Sequence, residues 1–173
     1  MLVVDGAEAR RSRTDALTRL WGLQAESFGS GREALQALRR GVSEGQPFDL
    51  ALIDAELEDM AGMTLGGLVR LEPAAGAVRL VLQLGVGLRG DGAMAEKIGY
   101  DAYLPRSLPI PELREALTVL LQHRAAGRER PALLTRHSLA DRQLEGVRIL
   151  LVGSDPLGAL VLFLGRRAFA RLA

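Results

Sequence analysis

The stretch Phe48-Asp49-Leu50-Ala51-Leu52-Ile53-Asp54 decides the fold. Phe48 to Ile53 is an apolar run too short for a helix and too continuous for a half-exposed strand, so it reads as a central strand covered on both faces. It delivers a carboxylate, Asp54, at its C-terminal end. Working outward, short apolar runs alternate with amphipathic stretches. Leu2-Val3-Val4 is a buried strand ending at Asp5-Gly6, and the stretch from Ala7 to Trp21 carries Ala16, Leu17, Leu20 and Trp21 at helical spacing. Gln24 to Ser27 reads as a second strand. Ser30 and Glu33 form a capping box ahead of a helix containing Ala34, Leu35 and Leu38, which ends near Gly41.

Beyond the central strand, Gly62 to Leu71 is the next helix, with Leu65, Leu68 and Val69 inward and Pro73 closing it. Val78 to Leu82 and Asp101 to Leu104 are two more strands, separated by a glycine-rich loop, Gly85 to Gly92, and a helix with Met94 and Ile98. Pro111 opens a last helix whose stripe is Leu113, Ala116, Leu117, Leu120 and Leu121. Five strands alternating with five helices give an α/β, flavodoxin-like, doubly wound parallel sheet over residues 1–122. Residues 123–146 read as a linker. Residues 147–173 read as a strand, Val147 to Val152, and a helix opened by Ser154-Asp155-Pro156. That helix would carry Leu157, Leu160, Val161 and Leu164 on one face, with Arg166, Arg167 and Arg171 at its negative end.

Composition excludes several classes. The chain is 48% hydrophobic and 25% charged with a formal net charge of +1, so it can bury a core and has no electrostatic demand for nucleic acid or an anionic membrane. It has no cysteine, which removes disulfides and thiolate chemistry. No apolar run approaches the roughly 20 residues of a membrane span, and no basic-then-apolar leader opens the chain. The expectation is a cytoplasmic protein.

In open parallel sheets the ligand end lies beyond the carboxyl ends of the strands. Collecting those positions brings together Asp5-Gly6, Asp54, Leu84-Gly85 and Arg106. Here Asp54-Ala55-Glu56-Leu57-Glu58-Asp59-Met60-Ala61-Gly62 and Gly99-Tyr100-Asp101-Ala102-Tyr103-Leu104-Pro105-Arg106 resemble the acceptor loop and the fifth strand of response-regulator receiver domains. The resemblance implies a phosphoacceptor at Asp54, an aromatic switch position at Tyr103, a switch Thr or Ser position at Leu84 and a lysine position at Arg106. It places a weak Mg²⁺ site at Asp5, Asp54 and the carbonyl of Glu56, with Gly6 where the family has its second acid.

Those departures have chemical consequences. Mg²⁺ dehydrates reluctantly and needs several oxygen ligands in strict geometry, which two carboxylates supply poorly. Leu84 has no hydroxyl to hold an acyl phosphate, and Ser107 stands where a proline usually follows the lysine. Arg106 keeps the charge, and its planar fork suits a bidentate pair with Asp54. The expectation is a degenerate receiver without a resident cofactor, Mg²⁺ entering only if the phosphoacceptor site is active. The implied partners are a histidine kinase or another two-component protein, with a homodimer through the fourth and fifth helices or the C-terminal tail. Leu113 to Leu121 would supply apolar anchors and Arg114 a rim charge.

The rival reading is a working Mg²⁺-dependent phosphoacceptor. A nucleotide-binding flavodoxin-like domain is disfavoured, because Gly85 to Gly92 lacks the lysine and spacing of a phosphate loop. Glu56, Glu58 and Asp59 read as a solvated acidic loop, and His123 and His137 as surface residues. Thr135 to Ala140 and Arg148 to Pro156 resemble the linker and opening strand between tandem receivers in hybrid sensor kinases. The chain would then be a non-enzymatic fragment carrying no kinase catalytic domain.

Overall fold

The central strand forms where the apolar run places it: β3, Leu50–Asp54, is buried at every residue. Its neighbours are β1 (Leu2–Val4) and β4 (Arg79–Leu84), and the sheet continues to β2 (Glu26–Phe28) on one side and to β5 (Ala102–Pro105) and β6 (Leu134–Thr135) on the other. The order is β2-β1-β3-β4-β5-β6, with every pairing parallel. The helices between strands are α1 (Glu8–Leu20), α2 (Gly31–Ser43), α3 (Gly62–Leu71), α4 (Asp91–Ile98) and α5 (Ile110–Ala125). The computed structural model describes residues 1–72, 77–87, 90–126 and 132–139, and the backbone of 148–152 and 160–164. The expectations placed on Pro73, Leu157, Arg166, Arg167 and Arg171, and the cap at Ser154-Asp155-Pro156, lie outside the described residues.

Alternation along the strands divides the core. Leu2, Val4, Ala51, Ile53, Leu80 and Leu82 meet Ala34, Leu38, Leu65, Val69 and Ala95 from α2, α3 and α4. Leu113, Ala116, Leu117 and Leu120 of α5 are likewise buried. The doubly wound parallel architecture is therefore the one read from the sequence. Leu134-Thr135, inside the stretch read as linker, adds a sixth strand beside β5. The strand expected at Gln24 to Ser27 begins two residues later, at Glu26.

Several inward faces differ from the expected ones. On α1, Leu20 is 81% exposed and Ala16 is also exposed, while Thr18 is buried. Thr18 tolerates burial because its hydroxyl donates within the helix to the Asp15 carbonyl at 3.0 Å. On α3 the inward arc is Gly62, Leu65, Gly66 and Val69, a regular helical spacing that turns Leu68 outward. Ala95 takes the inward place on α4, and Met94 is 54% exposed. Leu113, Ala116, Leu117 and Leu120 of α5 are core side chains and are not available as anchors for a partner, contrary to the expectation from the stripe; Leu121 is half-buried and Ile110 is 38% exposed.

The chain divides into Met1–Arg136 and His137–Ala173. In the second unit, β7 (Arg148–Val152) pairs antiparallel with β8 (Leu160–Leu164). This corrects the strand–helix reading: Leu160–Leu164, read as part of a helix, is a strand. Leu160-Val161-Leu162-Phe163-Leu164 is apolar at every position, so its periodicity does not separate helix from strand. Pairing with Arg148-Ile149-Leu150-Leu151-Val152 resolves the choice by satisfying both backbones in one ladder.

Candidate functional site

Adjacent parallel strands bring Asp5 and Asp54 together, because β1 and β3 are hydrogen-bonded neighbours and each acid stands at its strand's C-terminal end. Tight chain packing fixes the acceptor loop. The Gly62 N–H donates to the Ala55 carbonyl at 2.9 Å, and a Cβ at Gly62 would lie 2.3 Å from the Asp54 carbonyl oxygen. Only glycine lets α3 start so close to the end of β3.

The Asp54 side chain is only 2% exposed, yet both carboxylate oxygens are engaged. Its Oδ1 accepts from the Glu56 N–H at 2.9 Å and from Arg106 Nη2. Its Oδ2 accepts from Arg10 Nη2 at 2.8 Å. The expected Asp54–Arg106 pair is thus present, but its geometry is not the bidentate fork. Arg106 shares one nitrogen between Asp54 and Glu56, whose Oε2 lies 3.0 Å away. Arg106 passes Gly85, the residue after β4, where a Cβ would come within 3.0 Å of its Nη1. Partial burial lowers the proton affinity of Arg106, but its bonds to Asp54 and Glu56 more than offset this, so its pKa is raised.

The bidentate fork belongs to Arg10. Its Nε donates to Asp5 Oδ2 at 2.8 Å and its Nη2 to Asp5 Oδ1 at 2.7 Å, while the same Nη2 reaches Asp54. The hydrogen bonds to Asp5 are the main reason that Arg10 holds its proton more tightly than usual. Next to it, Arg11 Nη1 donates to the carbonyls of Asp5 and Gly6 at 2.6 and 3.0 Å. Sequence reasoning missed Arg10. Its place in the first turn of α1, five residues after a strand-end aspartate, lets a long cationic side chain fold back over the sheet edge, but nothing in the sequence separates it from Arg11 or Arg13.

The other site positions fall nearby. Leu84 is 5% exposed and packs as an apolar side chain. Tyr103 is half-buried against the core, with its hydroxyl a long 3.4 Å from Asp91 Oδ2; burial first, then the Asp91 charge, raises its pKa. Gly6 borders open space, since the nearest atom to a Cβ built there is the Glu56 carbonyl oxygen at 3.9 Å. The residues present do not fit a resident Mg²⁺. Gly6 supplies no carboxylate, and the nitrogen that joins Asp5 to Asp54 is already a cation. Among the described residues, no group of three or more His, Asp or Glu is placed to hold a metal ion.

The acidic loop is exposed at Glu56, Glu58 and Asp59, as read from the sequence, and two of these carboxylates also have partners. Glu56 pairs with Arg106. Asp59 accepts the Gly31 and Arg32 N–H groups at 2.9 Å each, capping α2 together with Ser30, whose Oγ accepts from the Glu33 N–H at 3.3 Å. These backbone bonds, the one from Gly31 first, lower the Asp59 pKa. A depressed carboxylate stabilises the fold above its unfolded pKa of about 3.9, and the gain is lost as pH falls through the folded value. Asp59→Ala is therefore expected to lose about 0.5–1 kcal/mol at neutral pH, the lower half of the cap range because the group is exposed. Urea melts at neutral pH and near pH 3 check this; the difference from wild type should shrink in acid. His123 is half-buried and His137 exposed.

A parallel sheet of this order, with an aspartate at the end of its third strand and a basic residue just past its fifth, defines the CheY-like receiver fold, and Met1–Arg136 has that fold. No family model matches the chain. It is 30% identical over 118 residues to the sensor histidine kinase AtsR of Burkholderia thailandensis, a match covering 65% of this chain but 18% of that protein. It is structurally similar to the CheY-like receiver domain protein of Methanospirillum hungatei (TM-score 0.63, 24% identity, 73% of this chain and 95% of that one). The receiver domain of an HD domain-containing protein from Pseudomonas fluorescens gives a TM-score of 0.63 at 24% identity, covering 72% and 95% of the two chains. Chemotaxis protein CheY4 of Vibrio cholerae gives 0.63 at 18% identity, covering 69% and 95%. No helix of the described residues is long and apolar enough to cross a membrane.

Proposed function

We propose that Met1–Arg136 is a receiver module of a two-component pathway that works by protein contact, with Asp54 held by arginines instead of cycling through a phosphorylated state. One observation carries this reading: both oxygens of the acceptor carboxylate are engaged by guanidinium groups, Arg10 on one and Arg106 on the other. Phosphoryl transfer to Asp54 needs one of those oxygens free and a metal ion to neutralise the developing charge. Leu84 offers no hydroxyl to read the product. The module then presents one conformation and acts as a fixed docking element.

On this reading the partner is a histidine kinase or another two-component protein in the cytoplasm, and the module itself is not an enzyme. A homodimer through α4 and α5 would have to use exposed residues such as Met94, Ile110 and Arg114, since the apolar stripe of α5 is buried. Incubation with acetyl phosphate and Mg²⁺, followed by intact-mass measurement, is expected to leave the protein unmodified. Ready Mg²⁺-dependent addition of one phosphoryl group, lost in Asp54→Asn, would instead establish a working phosphoacceptor.

A further inference from the structure

We propose that Arg10 is a tethered counter-cation, standing in the place a divalent ion would take between Asp5 and Asp54, and that this side chain, more than the missing acid at Gly6, keeps metal out. The inference deepens the reading above and rests on it. Two carboxylates with side chains 12% and 2% exposed face one another at the sheet edge, and their repulsion in a poorly hydrated setting requires a cation. Arg10 Nη2 lies 2.7 Å from one and 2.8 Å from the other, so a single nitrogen bridges both, as a metal ion would. Arg11 completes the substitution by donating to the carbonyl oxygens of Asp5 and Gly6, which occupies these backbone acceptors as well.

Tethering decides the competition. A side chain held on the adjacent helical turn acts at an effective concentration on the order of millimolar or more, and it desolvates more readily than Mg²⁺. A two-carboxylate site binds Mg²⁺ too weakly to displace it. Arg10 is also 45% exposed, so it can leave the site without disturbing the core, and the exclusion is competitive. Space is not what bars a third carboxylate: a Cβ at Gly6 meets nothing closer than 3.9 Å.

Mn²⁺ titration of the full-length protein, read by loss of the free-ion electron paramagnetic resonance signal, tests this. Wild type is expected to show no saturable binding at millimolar Mn²⁺. Arg10→Gln should bind at least about tenfold more tightly, and Arg10→Gln with Gly6→Asp about tenfold more again, as ligand charge rises. Adding Asp54→Asn should abolish the gain. Gly6→Asp alone, and Arg10→Lys, should stay close to wild type because the cation remains. The proposal is overturned if Gly6→Asp alone binds as well as the double variant, if Arg10→Lys binds as well as Arg10→Gln, or if a folded Arg10→Gln binds no better than wild type. The last result would leave the phosphorylation reading intact. Phosphorylation of wild-type Asp54 would remove that reading on separate grounds.

Discussion

Asp101→Ala is expected to destabilise the receiver unit by about 3–5 kcal/mol, the usual loss when one partner of a buried ion pair is deleted. Asp101 is 1% exposed and sits just before β5, at the end of the sheet opposite Asp54. Its Oδ1 accepts from Arg79 Nη1 at 3.0 Å, and its Oδ2 accepts from Arg70 Nη2 at 2.9 Å and the Leu80 N–H at 2.8 Å. The two arginine side chains are 7% and 12% exposed. Arg70 also donates to the Gly99 and Val78 carbonyls, so it stitches α3 to the segments that lead into β5 and β4. Removing the carboxylate leaves two guanidiniums in a space that water reaches poorly. For a domain of this size the melting midpoint should fall by more than about 10 °C. Asp101→Asn, which keeps some hydrogen bonds but no charge, should lose roughly half as much. A fall of only a degree or two in Asp101→Ala would mean that the network adds little to stability.

The receiver fold was legible because parallel strands covered on both faces need continuous apolar runs, and Leu50 to Ile53 is such a run. The pairing of Asp54 with Arg106 was legible for a different reason: both stand at strand ends in a frame of known spacing. Arg10 was not. It sits among Arg11, Arg13 and Arg19 on a helix where nothing in the spacing marks one arginine as inward. Only the closeness of β1 and β3, a long-range fact, brings it between two acids. Asp101 failed to stand out in the same way, since its partners lie 22 and 31 residues earlier in the chain. Apolar identity also misled at Leu20 and Leu68, because the inward arc followed Thr18 and two glycines that a hydrophobic count ignores.

The two ends of the sheet thus use the same device, a buried aspartate gripped by two arginines, and differ in exposure. Around Asp101 the arginines are locked in. Around Asp54 they are 45% and 22% exposed, so water screens each of them in part and each is worth less on its own. How strongly Asp54 depends on its two arginines decides whether it is held or free.

That dependence can be measured as a coupling. Arg10→Ala leaves Asp54 with Arg106 and the Glu56 N–H, and Arg106→Ala leaves it with Arg10 and the same N–H. Each single variant is expected to lose only about 1 kcal/mol, because both arginines are partly solvated and one charge partner remains. The double variant strands a carboxylate that is 2% exposed with a single backbone donor, and should lose about 3–5 kcal/mol. The excess over the sum of the singles, about 1–3 kcal/mol, is the shared task of neutralising Asp54. Urea unfolding of the four proteins at neutral pH gives the number. Strict additivity would show that the two arginines act independently and would remove the case for a joint clamp. A fifth protein separates charge from packing. Adding Asp54→Ala to the double variant removes the stranded charge, so it should recover most of the loss even though another side chain has been cut away. A clamp whose worth lay in packing would lose stability further at that step.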